Sequence, residues 1–169
     1  MKKIILAGML MTTLIASDGA DYFGISAGNA EFKMSDLLSS ESNSNTQVSV
    51  TLGHYYEDSS RVSATYTYVK HDRSVDNNDA ISLAYDFMLP LVKNRFSMYA
   101  GPVIGYTRLK DSAIDLSGFH YGAQAGAIVR LFEKIEIEAG YRYLRENGSD
   151  SGIELDDIKM WYAGANLRF

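Results

Sequence analysis

The stretch FHYGAQAGAIVRL, residues 119–131, decides the fold. Its odd positions, Phe119, Tyr121, Ala123, Ala125, Ala127, Val129 and Leu131, are all apolar, while His120, Gln124 and Arg130 share the even positions with Gly122, Gly126 and Ile128. Successive side chains of a strand point to opposite faces of a sheet, so this period of two describes a strand with one wholly apolar face and one mixed face. After a short turn at 132–134 the pattern resumes: Ile135, Ile137, Ala139, Tyr141 and Tyr143 alternate with Glu136, Glu138, Gly140 and Arg142. Two such runs around a tight turn form a hairpin.

Working outward, the same period recurs along the chain. Val48, Val50, Leu52 and Tyr56 alternate with Gln47, Ser49, Thr51 and Gly53, and Val62, Ala64, Tyr66 and Tyr68 with Ser63, Thr65 and Thr67. Ile81, Leu83, Tyr85, Phe87 and Leu89 oppose Ser82, Ala84 and Asp86. Further strands are expected at 96–106 and 159–169. The first, at 22–33, has an ambiguous phase, since Phe23, Ile25 and Ala27 mark one face and Phe32 the other, as a bulge or a slipped register would produce. Eight strands result. Short connections at 57–60, 90–94 and 132–134 alternate with longer polar ones at 34–45, 70–79, 110–117 and 145–157, the pattern of an up-and-down antiparallel meander. Phe32, Tyr68, Tyr106 and Tyr143, spaced 36, 38 and 37 residues apart, mark the hairpin repeat.

Before the strands, Lys2 and Lys3 precede an apolar block at 4–15, and Ala16, Ser17, Gly19 and Ala20 follow. Basic start, short apolar stretch and small residues make a secretory signal peptide. Residues 1–20 are therefore set aside, and 21–169 are read as one domain, in keeping with the 169-residue length. Without cysteine, there is no disulfide scaffold, thiol nucleophile or Cys-based zinc site. A net charge of −5 argues against nucleic acid as a partner, because nonspecific binding depends on Lys and Arg neutralising phosphates.

A soluble sheet packs its apolar face on a core and wets the polar one. Here the polar faces carry Gly, Ser, Thr and Gln with charges in mid-strand, more than a soluble core buries. A sheet that spans lipid must close on itself, apolar side chains outward and polar ones in the lumen, with aromatic girdles at both interfaces. Tyrosines near strand ends and strands near the roughly 9 to 11 residues needed to span fit that inversion. A soluble lipocalin-like barrel is the alternative fold.

The last strand ends on Phe169, preceded at every second position by Leu167, Ala165, Ala163 and Trp161. This terminal pattern resembles the signature by which bacterial outer-membrane barrels are read by their assembly machinery. The chain from about residue 21 to 169 resembles the OmpA/OmpX-type small outer-membrane beta-barrel family. The resemblance implies an all-β, eight-stranded antiparallel up-and-down transmembrane β-barrel in the cell outer membrane, with short periplasmic turns, longer extracellular loops, and Trp161, Leu167 and Phe169 as its assembly signature. The partners it implies are the lipid bilayer, lipopolysaccharide, the assembly machinery, and host-surface or peptidoglycan-associated proteins.

By alternation Asp86, Glu136 and Glu138 point inward together with Arg130, Arg142 and Arg168. An eight-stranded interior is just wide enough for side chains to fill it, so these six are expected to pair as a plug, the alternative being a gate on a narrow ion path. The long loops are acidic, at Asp36, Glu41, Asp72, Asp76, Asp79, Asp111, Asp115, Glu146, Asp150, Glu154, Asp156 and Asp157. The plain reading is a solvated face; the sharper one is divalent-cation bridging to lipopolysaccharide by residues 150–157, although the spacing is not that of an EF-hand.

Some small outer-membrane barrels modify lipid A, and a hydrolase of that kind needs a nucleophile and a base within hydrogen-bond reach. Of the three histidines, His54 is expected to face lipid, His71 a loop and His120 the lumen. A deacylase-like serine two residues after a histidine is absent, Gly122 standing there, and Ser117 with His120 is the best remaining pair. The glycines around 101–105 and 122–126 lie in strands and suit close packing, not a phosphate loop. The sequence points to a non-enzymatic barrel without cofactor or metal, structural or adhesive in role, with a porin-type channel second and a lipid A-modifying enzyme third.

Overall fold

The computed structural model describes residues 19–36, 39–57, 59–70, 77–92, 95–110, 115–146, 149–150 and 153–169. All its regular elements are strands: β1 (Gly19–Asp36), β2 (Ser39–Tyr56), β3 (Ser60–Lys70), β4 (Asn77–Val92), β5 (Phe96–Lys110), β6 (Asp115–Arg130), β7 (Ile135–Glu146), the two-residue β8 (Ser149–Asp150) and β9 (Ile153–Arg168). Each long strand pairs antiparallel with the next, and β9 returns to β1, closing an eight-stranded barrel on which β8 is a short edge appendage. The closure includes the last residue: the Asp21 amide donates to the Phe169 carbonyl at 3.1 Å and the Phe169 amide to the Asp21 carbonyl at 2.9 Å.

The wall is inside-out relative to a soluble protein. Phe87, Trp161, Ile81 and Phe119 stand more than half exposed on the outside, while Arg61, Asp86, His120 and Glu136 are among the most deeply buried large side chains. Only lipid satisfies such an exterior without a large hydrophobic penalty in water.

Strand starts and stops differ from the sequence expectation in a consistent direction. β1 and β2 zip together as far as Asp36 opposite Ser39, so most of the loop expected at 34–45 is ladder. β4 starts at Asn77, β6 at Asp115 and β9 at Ile153, each inside an expected loop, and β4 runs to Val92 through the expected turn at 90–94. Beyond the bilayer both faces of a strand meet water, so the apolar alternation fades while the backbone ladder continues. Gly19 and Ala20, expected to belong to the signal peptide, begin β1 opposite Tyr56 and Tyr55, and residues 1–18 lie outside the described residues. The phase of β1 resolves cleanly: Tyr22, Gly24 and Ala30 face inward and Phe23, Ile25 and Ala27 outward. A register irregularity does occur, between Lys33 and Met34 against β9. The periplasmic turn from β2 to β3 contains Glu57 in the left-handed region at φ 51°.

Candidate functional site

Among the described residues the lumen is where charged groups are brought together in depth, and its contents follow from strand parity. Even-numbered residues of β4, β6, β7 and β9 and odd-numbered residues of β2 and β3 turn inward, which aims Asp86, Gln124, Glu138, Arg142 and Asn166 at Arg61. Glycine on the inner face makes the room. A Cβ on Gly53 would collide with the Tyr22 ring, and one on Gly126 or Gly140 with the Tyr99 hydroxyl.

Arg61 is the hub. Its Nε donates to Asp86 Oδ2 at 2.8 Å, Nη2 to Glu138 Oε1 at 2.7 Å and Nη1 to Glu138 Oε2 at 3.0 Å, and the guanidinium lies 4.2 Å from the centre of the Tyr99 ring. Glu138 also accepts from Asn166 Nδ2 at 2.7 Å, and both Asp86 oxygens accept from Gln124 Nε2 at 2.9 Å. The Gln124 carbonyl in turn accepts from Arg142 Nε and Nη2 at 3.0 and 2.7 Å. Nearer the periplasm, Glu136 accepts from Tyr55 at 2.7 Å, Arg130 at 3.0 Å and Arg168 at 3.2 Å. Charges removed from water persist only when paired and hydrogen-bonded, a condition that Arg61, Asp86, Glu138 and Glu136 meet, whereas Arg142 bonds the neutral Gln124 carbonyl.

All six residues expected in the lumen stand there, but in two layers: Asp86, Glu138 and Arg142 around Arg61, and Arg130 and Arg168 around Glu136. Sequence reasoning missed Arg61 itself, with Tyr22, Tyr55, Tyr99 and Asn166. The signal that finds Arg61 is the inner face Ser63, Thr65, Thr67, which carried two residues back places Arg61 inward.

Toward the extracellular mouth the lumen turns apolar. Val69, Leu144, Ile158 and Met160 are each no more than 5% exposed and belong to one cluster, with Leu144 and Ile158 register partners. Between this layer and the Arg61 network lies a polar chamber of about 30 Å³, lined among others by Gln47, Ser49, Thr51, Thr67 and Arg142.

His120 is fully buried, its Nε2 3.0 Å from the Ser82 hydroxyl and its Nδ1 2.8 Å from that of Thr107. The expected companion Ser117 has its side chain outside the described residues, as does His71. His54 does not face open lipid as expected. It is outward by alternation but only 3% exposed, because Asp21, opposite it in register, bonds its Nδ1 at 2.7 Å and Tyr56 packs edge-on at 4.8 Å.

The outer wall carries the aromatic belt. Tyr141 packs on Trp161 at 4.5 Å, and Leu167 and Phe169 are exposed below them. Above the belt, the Tyr143 hydroxyl donates to Asp157 at 2.6 Å with Arg145 3.5 Å away, and these two hold the Asp157 carboxyl below its ordinary value. Among the described residues no group of three or more His, Cys, Asp or Glu side chains could hold a metal; most side chains of 150–157 lie outside that set.

In fold the chain is similar to Neisserial surface protein A, at TM-score 0.72 and 18% identity over 88% of this chain and 97% of that one. It is also similar to outer membrane protein H (OprH) of P. aeruginosa in DHPC micelles, at TM-score 0.65 and 23% identity over 89% and 99%. A third similar structure is the outer membrane enzyme PagL, at TM-score 0.56 and 12% identity over 86% and 98%. No curated protein matches the chain. The model of the outer membrane protein beta-barrel domain matches residues 4–169, and the chain belongs to that outer-membrane family.

Proposed function

We propose that this protein is a non-conducting, non-catalytic barrel of the outer membrane, whose role is exerted at the cell surface: envelope integrity, or adhesion through strand extensions and loops beyond the bilayer. The observation that carries this reading is the doubly closed lumen. The Arg61 network crosses the barrel in its periplasmic half, and the Val69, Leu144, Ile158 and Met160 layer fills its mouth. What remains for function is the exterior. Surface protein and enzyme share this architecture among its structural neighbours, so fold alone leaves the role open. His120 supports the non-catalytic reading, since both ring nitrogens are occupied by hydroxyls inside the wall, out of reach of an acyl chain.

On the outside, Lys159 and Arg145, the latter 3.5 Å from Asp157, stand above the Tyr141–Trp161 pair, which supports lipopolysaccharide phosphates as a partner. Basic groups over an aromatic belt suit that partner better than the acidic loops do. Planar-bilayer recording of the purified barrel tests the reading: a silent membrane is expected, and reproducible unitary steps would replace it with a channel. Lipid A from expressing cells is expected to keep its mass; a loss or gain of an acyl chain would restore the enzyme reading.

A further inference from the structure

We propose that the mid-lumen chamber beside Arg142 is a binding site for a small monovalent anion of halide size. Arg142 is 7% exposed, yet its hydrogen bonds go to a neutral acceptor, the Gln124 carbonyl, and among the described residues no carboxylate pairs with it. The nearby carboxylates are already spent: Glu138 on Arg61 and Asn166, Asp86 on Arg61 and Gln124. Among the described residues of the lumen four guanidiniums, of Arg61, Arg130, Arg142 and Arg168, face three carboxylates, of Asp86, Glu136 and Glu138. The excess positive charge has its least satisfied member at Arg142, and a buried guanidinium without an anion is costly.

Hydroxyl donors line the chamber, which the Glu138 carboxylate, already bonded by Arg61 and Asn166, also borders. Ser49 and Thr67 hydroxyls lie 2.9 Å apart and those of Thr51 and Thr65 3.0 Å apart. A hydroxyl pair uses one O–H for its mutual bond and leaves the other to turn elsewhere, so each pair offers one proton to the chamber. Its volume of about 30 Å³ exceeds the roughly 10 to 15 Å³ that one water-sized sphere occupies, enough for one halide, or for two waters in its absence. Gln47 Oε1, which lines the chamber, is a buried acceptor with no protein partner. The Arg61–Glu138 bond below and the Leu144–Ile158 contact above leave no room for an organic anion.

The test uses the protein purified folded from outer membranes. Crystals grown in bromide should show one anomalous peak within hydrogen-bond reach of Arg142. Urea unfolding in sodium chloride or bromide is compared with sodium gluconate at equal ionic strength. For a site of about 0.1 M affinity, 0.5 M halide should shift the unfolding equilibrium about sixfold toward the folded state. Arg142→Met should abolish the difference between salts, and Thr51→Val, which keeps the side-chain shape, should reduce it even if Arg142→Met fails to fold. Equal unfolding in all salts with only water in the chamber would overturn the site. So would a halide effect that persists undiminished in Thr51→Val and in a folded Arg142→Met.

Discussion

Arg61 on β3 and Glu138 on β7 meet across the full width of the barrel, joined by two hydrogen bonds of 2.7 and 3.0 Å between strands four places apart in a ring of eight. The pair therefore cross-links opposite walls, a contact that neighbouring-strand ladders cannot supply. Planar guanidinium against carboxylate is the geometry in which such pairs are strongest.

Removing one partner leaves the other charged and buried. Glu138→Ala is expected to destabilise the folded barrel by about 3 to 5 kcal/mol. Urea unfolding followed by heat-modifiable gel mobility measures it, and an unchanged midpoint would refute the pairing. Replacing Arg61 and Glu138 with methionines together with Asp86→Asn is expected to recover much of the loss, since the carboxylate that Arg61 also pairs is then removed with the other two charges.

Gly105 and Gly140 test the packing of the inner face. An alanine at Gly105 would press its methyl onto the Ile81 backbone carbonyl and into the His120 ring, and one at Gly140 into the hydroxyls of Tyr99 and Tyr162, which bond each other at 2.7 Å. Each substitution is expected to cost about 1 to 3 kcal/mol through forced displacement of these groups. Gly105→Ala and Gly140→Ala melting at the wild-type temperature would mean that the rings have space to move.

How much of this was legible beforehand depended on which solvent a residue meets. Where one face of a strand meets lipid and the other the lumen, as at Phe119 to Leu131, the alternation specified strand, phase and barrel without ambiguity. It failed at strand ends, where Ser39 to Ser44 or Asn77 to Asp79 carry polar residues on both faces and the ladder continues without a hydrophobic signature. Facing could be derived for Asp86, Glu138 and Arg142, but pairing could not. Which arginine meets which acid depends on the stagger of β3 against β7, and nothing local in either strand encodes a contact 77 residues away. The apolar layer at Val69, Leu144 and Ile158 was hidden for a related reason: each residue sits at an inward position otherwise given to polar groups, which reads locally as a lapse in the pattern.

Phe169 separates folding from delivery. Its backbone closes the barrel through the paired bonds to Asp21, whereas its side chain is exposed to lipid and makes no interior contact. Phe169→Ser keeps the backbone bonds, so the barrel is expected still to refold in detergent, at a cost of about 1 to 3 kcal/mol for the lost contact of the ring with the apolar phase. If the terminal ring is read by the assembly machinery, the amount in the outer membrane of living cells should fall several-fold. Equal amounts of both proteins in the membrane would remove Phe169 from that role.

The two closures of the lumen act in series, which makes their combined removal informative. Opening the charged layer by Arg61→Ala leaves the Leu144–Ile158 contact in the mouth, and an apolar constriction resists wetting, so the bilayer record should stay silent. Leu144→Ser with Ile158→Ser wets the mouth but leaves the Arg61 network across the axis, and again no current is expected. Only the triple variant has a continuous polar path from Glu136 to the extracellular end. It should conduct in small, reproducible steps if it retains heat-modifiable mobility. Current from Arg61→Ala alone would show that the apolar layer is no barrier, and silence from a folded triple variant would place the decisive constriction elsewhere, at the Tyr55–Glu136 layer near the periplasmic rim.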